Sequence, residues 1–327
     1  MEIEYTKNIH GKDKKFNIEI TKEDKEVAEI VPEDCVVIVT EAGNIKRITT
    51  TSFKRQKRAG KGVKTQDDIT KASITTNTLD ILLVFTNYGK VYRLPVDSIP
   101  AGTNATRGVA INSLISMEPG ESCVICTNME RADTKDKKYV WFATKNGLIK
   151  KTALSEYAGF KRKAGMQATG LREGDSIVSV WIGDDSDILM VSEEGMVIRF
   201  ASVDIAATGK AAIGVQGIKL GSTDHTSFAC NIHDGDRLLV VHDNGYGCKI
   251  SESDFTRQNR AGKGVKLCRV SGSKICAGVT IVDNSLVLIS GDVSNICIDE
   301  TDIKLGSRTS MPIKLIKDNK IVSIARV

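Results

Sequence analysis

The sequence predicts an all-β chain whose six repeats close into a propeller, and three observations carry that prediction. A hairpin-like pattern recurs six times, with turn positions Gly43, Gly89, Gly147, Gly195, Gly245 and Val293 separated by 46, 58, 48, 50 and 48 residues. One hairpin cannot bury both of its faces, whereas stacked neighbours in a closed array can. Val, Ile and Thr come in short runs while aromatics are only 5% of the 327 residues, which suits many short strands rather than helices. The stretch FKRQKRAGKGVK at 53–64 returns as FTRQNRAGKGVK at 255–266, so equivalent loops recur at equivalent places in the array.

Residues 1–32 are charged and weakly periodic, with one alternating piece, KFNIEI at 15–20, and read as a linker carrying a strand. The repeats occupy 33–327. The first runs CVVIVT (35–40), a turn at Gly43, NIKRI (44–48) and a long polar loop; the pattern returns at YGKVYRL (88–94), NGLIKKT (146–152), EGMVIRF (194–200), NGYGCKI (244–250) and DVSNICI (292–298). A charged insertion at 129–138 lengthens the longest interval and is expected to be a solvated loop. Ten residues after each turn position stands a large apolar side chain, Phe53, Ile99, Tyr157, Ile205, Phe255 and Ile303, expected as a core anchor. The last stretch, KIVSIARV at 320–327, is similar to SIVSVWI (176–182) and KICAGVTI (274–281). It is expected to pair beside the first blade and so close the ring.

Cations also follow the repeat. Four residues after the turn position stand Arg47, Arg93, Lys151, Arg199 and Lys249, with Cys297 the exception; fifteen after it stand Arg58, Arg162, Lys210, Arg260 and Arg308, with Asn104 the exception. Equivalent positions of a closed array lie on a common ring, so these registers predict a continuous basic track despite a net charge of only +5. In the twice-occurring loop, Gly60 and Gly62, like Gly262 and Gly264, let the backbone turn its N–H groups together as an anion-binding nest among cations. A nucleotide P-loop is excluded, because Arg55 and Arg257 stand where its first Gly belongs and Gly62 and Gly264 where its Ser or Thr belongs. The track fits a long polyanion such as double-stranded DNA, with one charge per about 1.7 Å of axis. No recognition helix, zinc-finger spacing or aromatic RNA-binding motif is present, so contacts to backbone phosphate are expected, with RNA left open. A curved track favours a bent duplex, whose elastic cost of about 1–6 kcal/mol for 20–30 base pairs phosphate contacts must offset.

Other chemistry finds little support. The start has no apolar leader and no run approaches the ~18 apolar residues of a membrane span, so the chain reads as cytosolic with no membrane partner. Eight cysteines do not form a disulfide framework. Cys123 and Cys126, three apart on a strand, are expected on opposite faces and no metal site is expected. His10, His225, His233 and His242 lack ligand or catalytic spacing and are expected in solvated loops.

From about residue 33 to the end, the chain resembles the C-terminal DNA-wrapping domain of the DNA gyrase A subunit or of its topoisomerase IV counterpart. The most specific element is the family's box QRRGGKG, present as QKRAGKG at 56–62 and QNRAGKG at 258–264. VIVTEAGNIKRI in the first repeat and LLVFTNYGKVYRL followed by RGVAINSLISMEPGE in the second support it. The resemblance implies a six-bladed β-pinwheel, a propeller whose blades share strands, with DNA around its perimeter. It implies contacts from Gln56, Lys57, Arg58, Gly60, Lys61 and Gly62, to which Lys64, Arg107, Arg257, Arg260, Lys263, Lys266 and the two cation registers are added. The departures are Lys57 and Ala59 in the first box and Asn259 and Ala261 in the second. An intact box in the first blade marks gyrase in the family, so gyrase is favoured and a weakly wrapping topoisomerase IV domain is the alternative. The acidic tail frequent in gyrase A subunits does not follow Val327.

The family's strand-cleaving tyrosine belongs to an N-terminal breakage-rejoining domain without counterpart around any of the six tyrosines here. The resemblance therefore implies an excised domain of a bacterial cytoplasmic, nucleoid-associated enzyme, with no catalytic residue and no cofactor of its own. Its parent would work with an ATPase B subunit, ATP and Mg2+. Two other classes compete: a propeller scaffold that binds protein, and a propeller enzyme such as a glycosidase. The latter needs carboxylates converging on the channel, and no repeated Asp or Glu register supplies them.

Overall fold

The computed structural model describes residues 30–64, 69–129 (backbone alone at 128 and 129), 139–157, 165–268 and 271–327, and the backbone of Tyr5–Ile9 and Lys12–Phe16. The last two strands form an antiparallel hairpin in a unit of their own, residues 1–30. Residues 17–20 of the alternating piece and the insertion at 130–138 lie outside the described residues.

Residues 31–327 form the second unit, in which six similar sheets are the blades. In blade 1 the hairpin strands Asp34–Thr40 and Asn44–Thr49 are central, and Thr70–Asn77 pairs with the first of them as the innermost strand. The other hairpins are Ile81–Thr86 with Lys90–Pro95, Tyr139–Thr144 with Leu148–Ala153, Asp187–Ser192 with Met196–Phe200, Arg237–His242 with Tyr246–Ser251, and Leu286–Gly291 with Ser294–Asp299. Their innermost strands are Cys123–Met129, Ile177–Gly183, Thr226–Ile232, Ile275–Ile281 and Ile321–Arg326. The turns are tight because glycine accepts positive φ, between +71° and +89° at Gly43, Gly89, Gly147, Gly195 and Gly245.

Each blade borrows its outer strand from the loop of the next repeat. Val109–Ala110 lies on blade 1, Met166–Gln167 on blade 2, Val215–Gln216 on blade 3, Val265–Lys266 on blade 4 and Ile313–Lys314 on blade 5. The rule closes on itself, because Val63–Lys64 from the first loop pairs with Ser294 and Asn295 of blade 6. This corrects the expectation for 320–327. Ile321–Arg326 is a strand, but it pairs with Leu286–Gly291 of its own blade, and the first loop supplies the closing pairing to blade 6. Only side-chain bonds, such as Ser73 Oγ to Ser323 Oγ at 3.2 Å, link it to the inner strand of blade 1.

The core lies between blades, as six apolar clusters, one per seam. The closing seam has the smallest, made of Val36, Ile38, Ile48, Phe53, Leu288 and Cys297. All six expected anchors are buried, each ending a short 3-10 turn whose first carbonyl accepts the anchor's N–H, as Thr50 does from Phe53 at 3.0 Å. The anchor thereby fixes where the rim loop departs.

Two local expectations are corrected. Each innermost strand shifts register near its start by one extra residue, and in blade 2 that residue is Val124. The shift turns Cys123 and Cys126 to the same side, with their sulfurs 3.6 Å apart in one core cluster. Cys248 and Cys268 are joined by a disulfide, a single bridge rather than a framework. His242 is buried at the end of a strand beside Ser273 rather than in a solvated loop; His10 lies outside the described residues. No helix among the described residues is long and apolar enough to cross a membrane.

Candidate nucleic-acid interface

The two boxes have the same backbone. In loop 1, Gln56 N–H donates to the Cys297 carbonyl at 2.7 Å, Ala59 N–H donates to Leu315 O at 2.6 Å, and Gly60 O accepts from Lys317 N–H at 3.0 Å. In loop 5, Gln258 donates to Arg199 O at 2.8 Å, Ala261 to Gly217 O at 2.7 Å, and Gly262 O accepts from Lys219 at 2.8 Å. Reaching those partners takes a left-handed residue, and it is the alanine: φ is +59° at Ala59 and +64° at Ala261. Gly62 and Gly264, both at +74°, press on the blade beneath, where a Cβ would come within 2.6 Å of Asn295 O or 2.3 Å of Val197 O. The N–H groups of Lys61 and Gly62, and of Lys263 and Gly264, have no hydrogen-bond partner among the described residues. They are what a backbone nest offers an anion.

Left-handed alanine costs about 1–2 kcal/mol, more than the extra chain entropy of glycine. Ala59→Gly and Ala261→Gly are therefore each expected to raise unfolding stability by about 0.5–1 kcal/mol, read as a shifted denaturant midpoint at constant slope. Lower stability in either variant would count against the left-handed assignment.

Around the first nest Lys54, Lys57, Arg58, Lys61 and Lys64 are exposed and make no ion pair with a described residue, while Arg55 lies 3.2 Å from Asp299. Around the second, Lys263 and Lys266 are exposed, but Arg257 is held bidentate by Asp187 at 2.8 and 2.9 Å. Arg107 is exposed in loop 2, and Arg162 lies outside the described residues. The fifteenth-residue register also joins loops. Arg58 donates to Lys314 O at 3.5 Å, Arg260 to Gln216 O at 3.0 Å and Arg308 to Lys266 O at 2.7 Å, each a carbonyl of the preceding loop's outer strand. Lys210 instead reaches Glu156 O at 3.2 Å.

The fourth-residue register is corrected. Lys151, Arg199 and Lys249 are buried between blades rather than displayed on a track. Lys249 donates to the Glu300 carboxylate at 2.6 Å and to its carbonyl at 2.8 Å; Lys151 donates to Asp185 at 2.9 Å; Arg199 pairs with Asp187 and Glu252, both at 2.8 Å. Arg47 is ion-paired to Glu33 and donates to Ile99 O at 2.7 Å, and Arg93 is half-buried. The role of Arg47, Lys151, Arg199 and Lys249 is to tie one blade to the end or start of the next repeat's 3-10 turn. Alternation along a strand tells which face a side chain takes, not whether a neighbouring blade covers that face.

The residue three after each turn position was missed, although the repeat alignment exposes it. Lys46 and Lys150 are buried under loops 2 and 4, each ammonium ringed by three loop carbonyls, at 2.7–3.3 Å for Lys46 and 3.1–3.2 Å for Lys150. Burial lowers the Lys150 ammonium to about 8, with Glu156 opposing. Under both boxes the position is isoleucine instead, Ile296 and Ile198, with Gly60 and Gly262 resting on them. Loops 2 and 4 thus gather carbonyls inward around a cation, whereas the boxes rest on an apolar seat and leave N–H groups without a partner among the described residues.

Six blades that exchange strands, with glycine-rich cationic loops on the rim, define the class as a strand-sharing six-bladed β-propeller. The family profile described as the DNA gyrase C-terminal domain, beta-propeller, matches residues 36–71, 80–127, 138–180, 186–229 and 236–275. The chain belongs to that family. The DNA gyrase A subunit of Helicobacter pylori (strain J99) is 34% identical over 309 residues, 90% of this chain and 37% of that protein. Its counterpart in Clostridium acetobutylicum is 32% identical over 339 aligned positions, spanning 100% of this chain and 40% of that protein. The chain therefore covers well under half of these relatives. Among solved structures, a DNA gyrase A C-terminal domain superposes with a TM-score of 0.79 at 22% identity, covering 90% of this chain and 99% of that one. The C-terminal domain of a DNA topoisomerase IV gives 0.67 at 23%, covering 91% and 94%, so both share the fold.

Proposed function

We propose that this chain binds double-stranded DNA without sequence preference, bends it around its rim, and presents the wrapped segment to a type IIA topoisomerase, gyrase in preference to topoisomerase IV. The observation that carries this reading is the pair of box loops, each with two adjacent N–H groups that have no partner among the described residues, beside exposed lysines that no described carboxylate neutralises. Backbone N–H groups and lysines suit phosphate and carry no base code, so register is set and sequence is not read. In the parent enzyme the chain would follow a breakage-rejoining domain and work beside an ATPase subunit in the bacterial cytoplasm, with ATP and Mg2+ consumed there. Within the chain itself we assign binding and bending, not catalysis.

Fluorescence anisotropy of the 327-residue chain with unrelated duplexes of equal length tests the reading. If about six phosphates are neutralised, the slope of log K against log salt is expected near −5, at roughly −0.9 per phosphate. A slope shallower than about −2, or many-fold discrimination between the duplexes, overturns it.

A further inference from the structure

Eighteen residues after the turn position each rim loop has an equivalent residue, Lys61, Arg107, Gly165, Ile213, Lys263 and Met311 in repeats 1 to 6. Met311 is 89% exposed, a large apolar side chain held out where both boxes carry lysine. Its backbone is not loose. Pro312 behind it is buried and restricts Met311 to extended conformations. Ser307 N–H donates to Ser310 Oγ at 2.8 Å, and Arg308 N–H to the Asp254 carboxylate at 3.0 Å, so the turn is fixed on both sides.

The position of this loop matters as much as its tip. Loop 5 lies on blade 4, loop 6 on blade 5 and loop 1 on blade 6, so Met311 stands between the two boxes. Arg308 and Arg58 bond these three loops in series. A duplex that follows the rim from one box to the other is held by cations at both ends and crosses an apolar side chain in between. Such a side chain gains nothing from phosphate, but it can fill the gap of a partly opened base step and kink the duplex there. Ile213, 46% exposed, has a box on one side only.

Resting on the DNA reading above, we propose that Met311 is an apolar wedge that enters a base step of the bound duplex and kinks it midway between the two boxes. The step must be unstacked before the thioether fits, so a duplex already weakened there binds more tightly. The test compares a duplex of about 40 base pairs with the same duplex carrying a central two-base mismatch. Affinity is read by anisotropy, and bending by energy transfer between the duplex ends. The unmutated chain and Met311→Leu are expected to favour the mismatched duplex by about tenfold and to bend both. Met311→Ala is expected to bind the two within about twofold and to bend the matched duplex less, with its salt slope intact because no phosphate contact is lost. A steep salt slope without mismatch preference in the unmutated chain, or the same preference in Met311→Ala, overturns the wedge alone. A shallow salt slope in the unmutated chain overturns the DNA reading instead.

Discussion

On the proposed DNA reading, replacing Arg58 and Lys61 together by Ala is expected to remove more than half of the linking difference trapped when nicked circular DNA is sealed in the presence of the chain. Replacing Arg260 and Lys263 is expected to remove clearly less. Each variant deletes two cations beside a nest and one bond to a neighbouring loop's carbonyl, from Arg58 to Lys314 or from Arg260 to Gln216, so the structural damage is matched. Each should also flatten the salt slope by about 1.8, from roughly 0.9 per phosphate. The difference lies in what surrounds them. Loop 1 keeps Lys54, Lys57 and Lys64 free of carboxylates among the described residues, whereas loop 5 has Thr256 and Asn259 at the places of Lys54 and Lys57 and commits Arg257 to Asp187. Loop 1 also closes the ring on blade 6, over the seam with the smallest apolar cluster, so on the proposed DNA reading its cations would hold the duplex where the array itself must be held shut. Nicked circles incubated with each variant, sealed and resolved by electrophoresis give the topoisomer distributions. Equal losses in the two variants, or no shift with the unmutated chain, would sink the expectation of a dominant first box.

Lys249→Met is expected to cost about 3–5 kcal/mol of stability while leaving DNA affinity and its salt slope unchanged in the folded population. The Lys249 and Glu300 side chains are only 7% and 4% exposed, and they join blade 5 to the 3-10 turn of the sixth repeat. Removing the ammonium leaves a carboxylate buried without its cation, which is the expensive half of breaking such a pair. The double variant Lys249→Met, Glu300→Leu replaces the pair by apolar groups and should recover most of the loss. Urea unfolding measures the cost and anisotropy measures binding. Were Lys249→Met to keep full stability and flatten the salt slope by about one, the fourth-residue register would belong to the DNA track after all.

The sequence by itself determined the elements that depend on short-range chemistry. Turn glycines set the hairpins, the apolar residue ten positions on became the buried anchor, and the lysines of the repeated box came out exposed because charge clusters there. What spacing could not decide was which surfaces meet. Lys151, Arg199 and Lys249 share one period with the rim arginines, yet they end in seams, because a neighbouring blade supplies carboxylates and carbonyls at just that height. Cys123 and Cys126 follow strand alternation on paper and share a face in the fold, since one extra residue in a strand reverses every face beyond it. Ring closure is the clearest case. The residues at 320–327 are similar to an opening strand and are used as one, but the pairing that closes the ring comes from residues 63 and 64, more than 200 positions away from their partners. A strand's sequence specifies an edge that must be paired, and only the geometry of six blades around an axis specifies which distant segment pairs it.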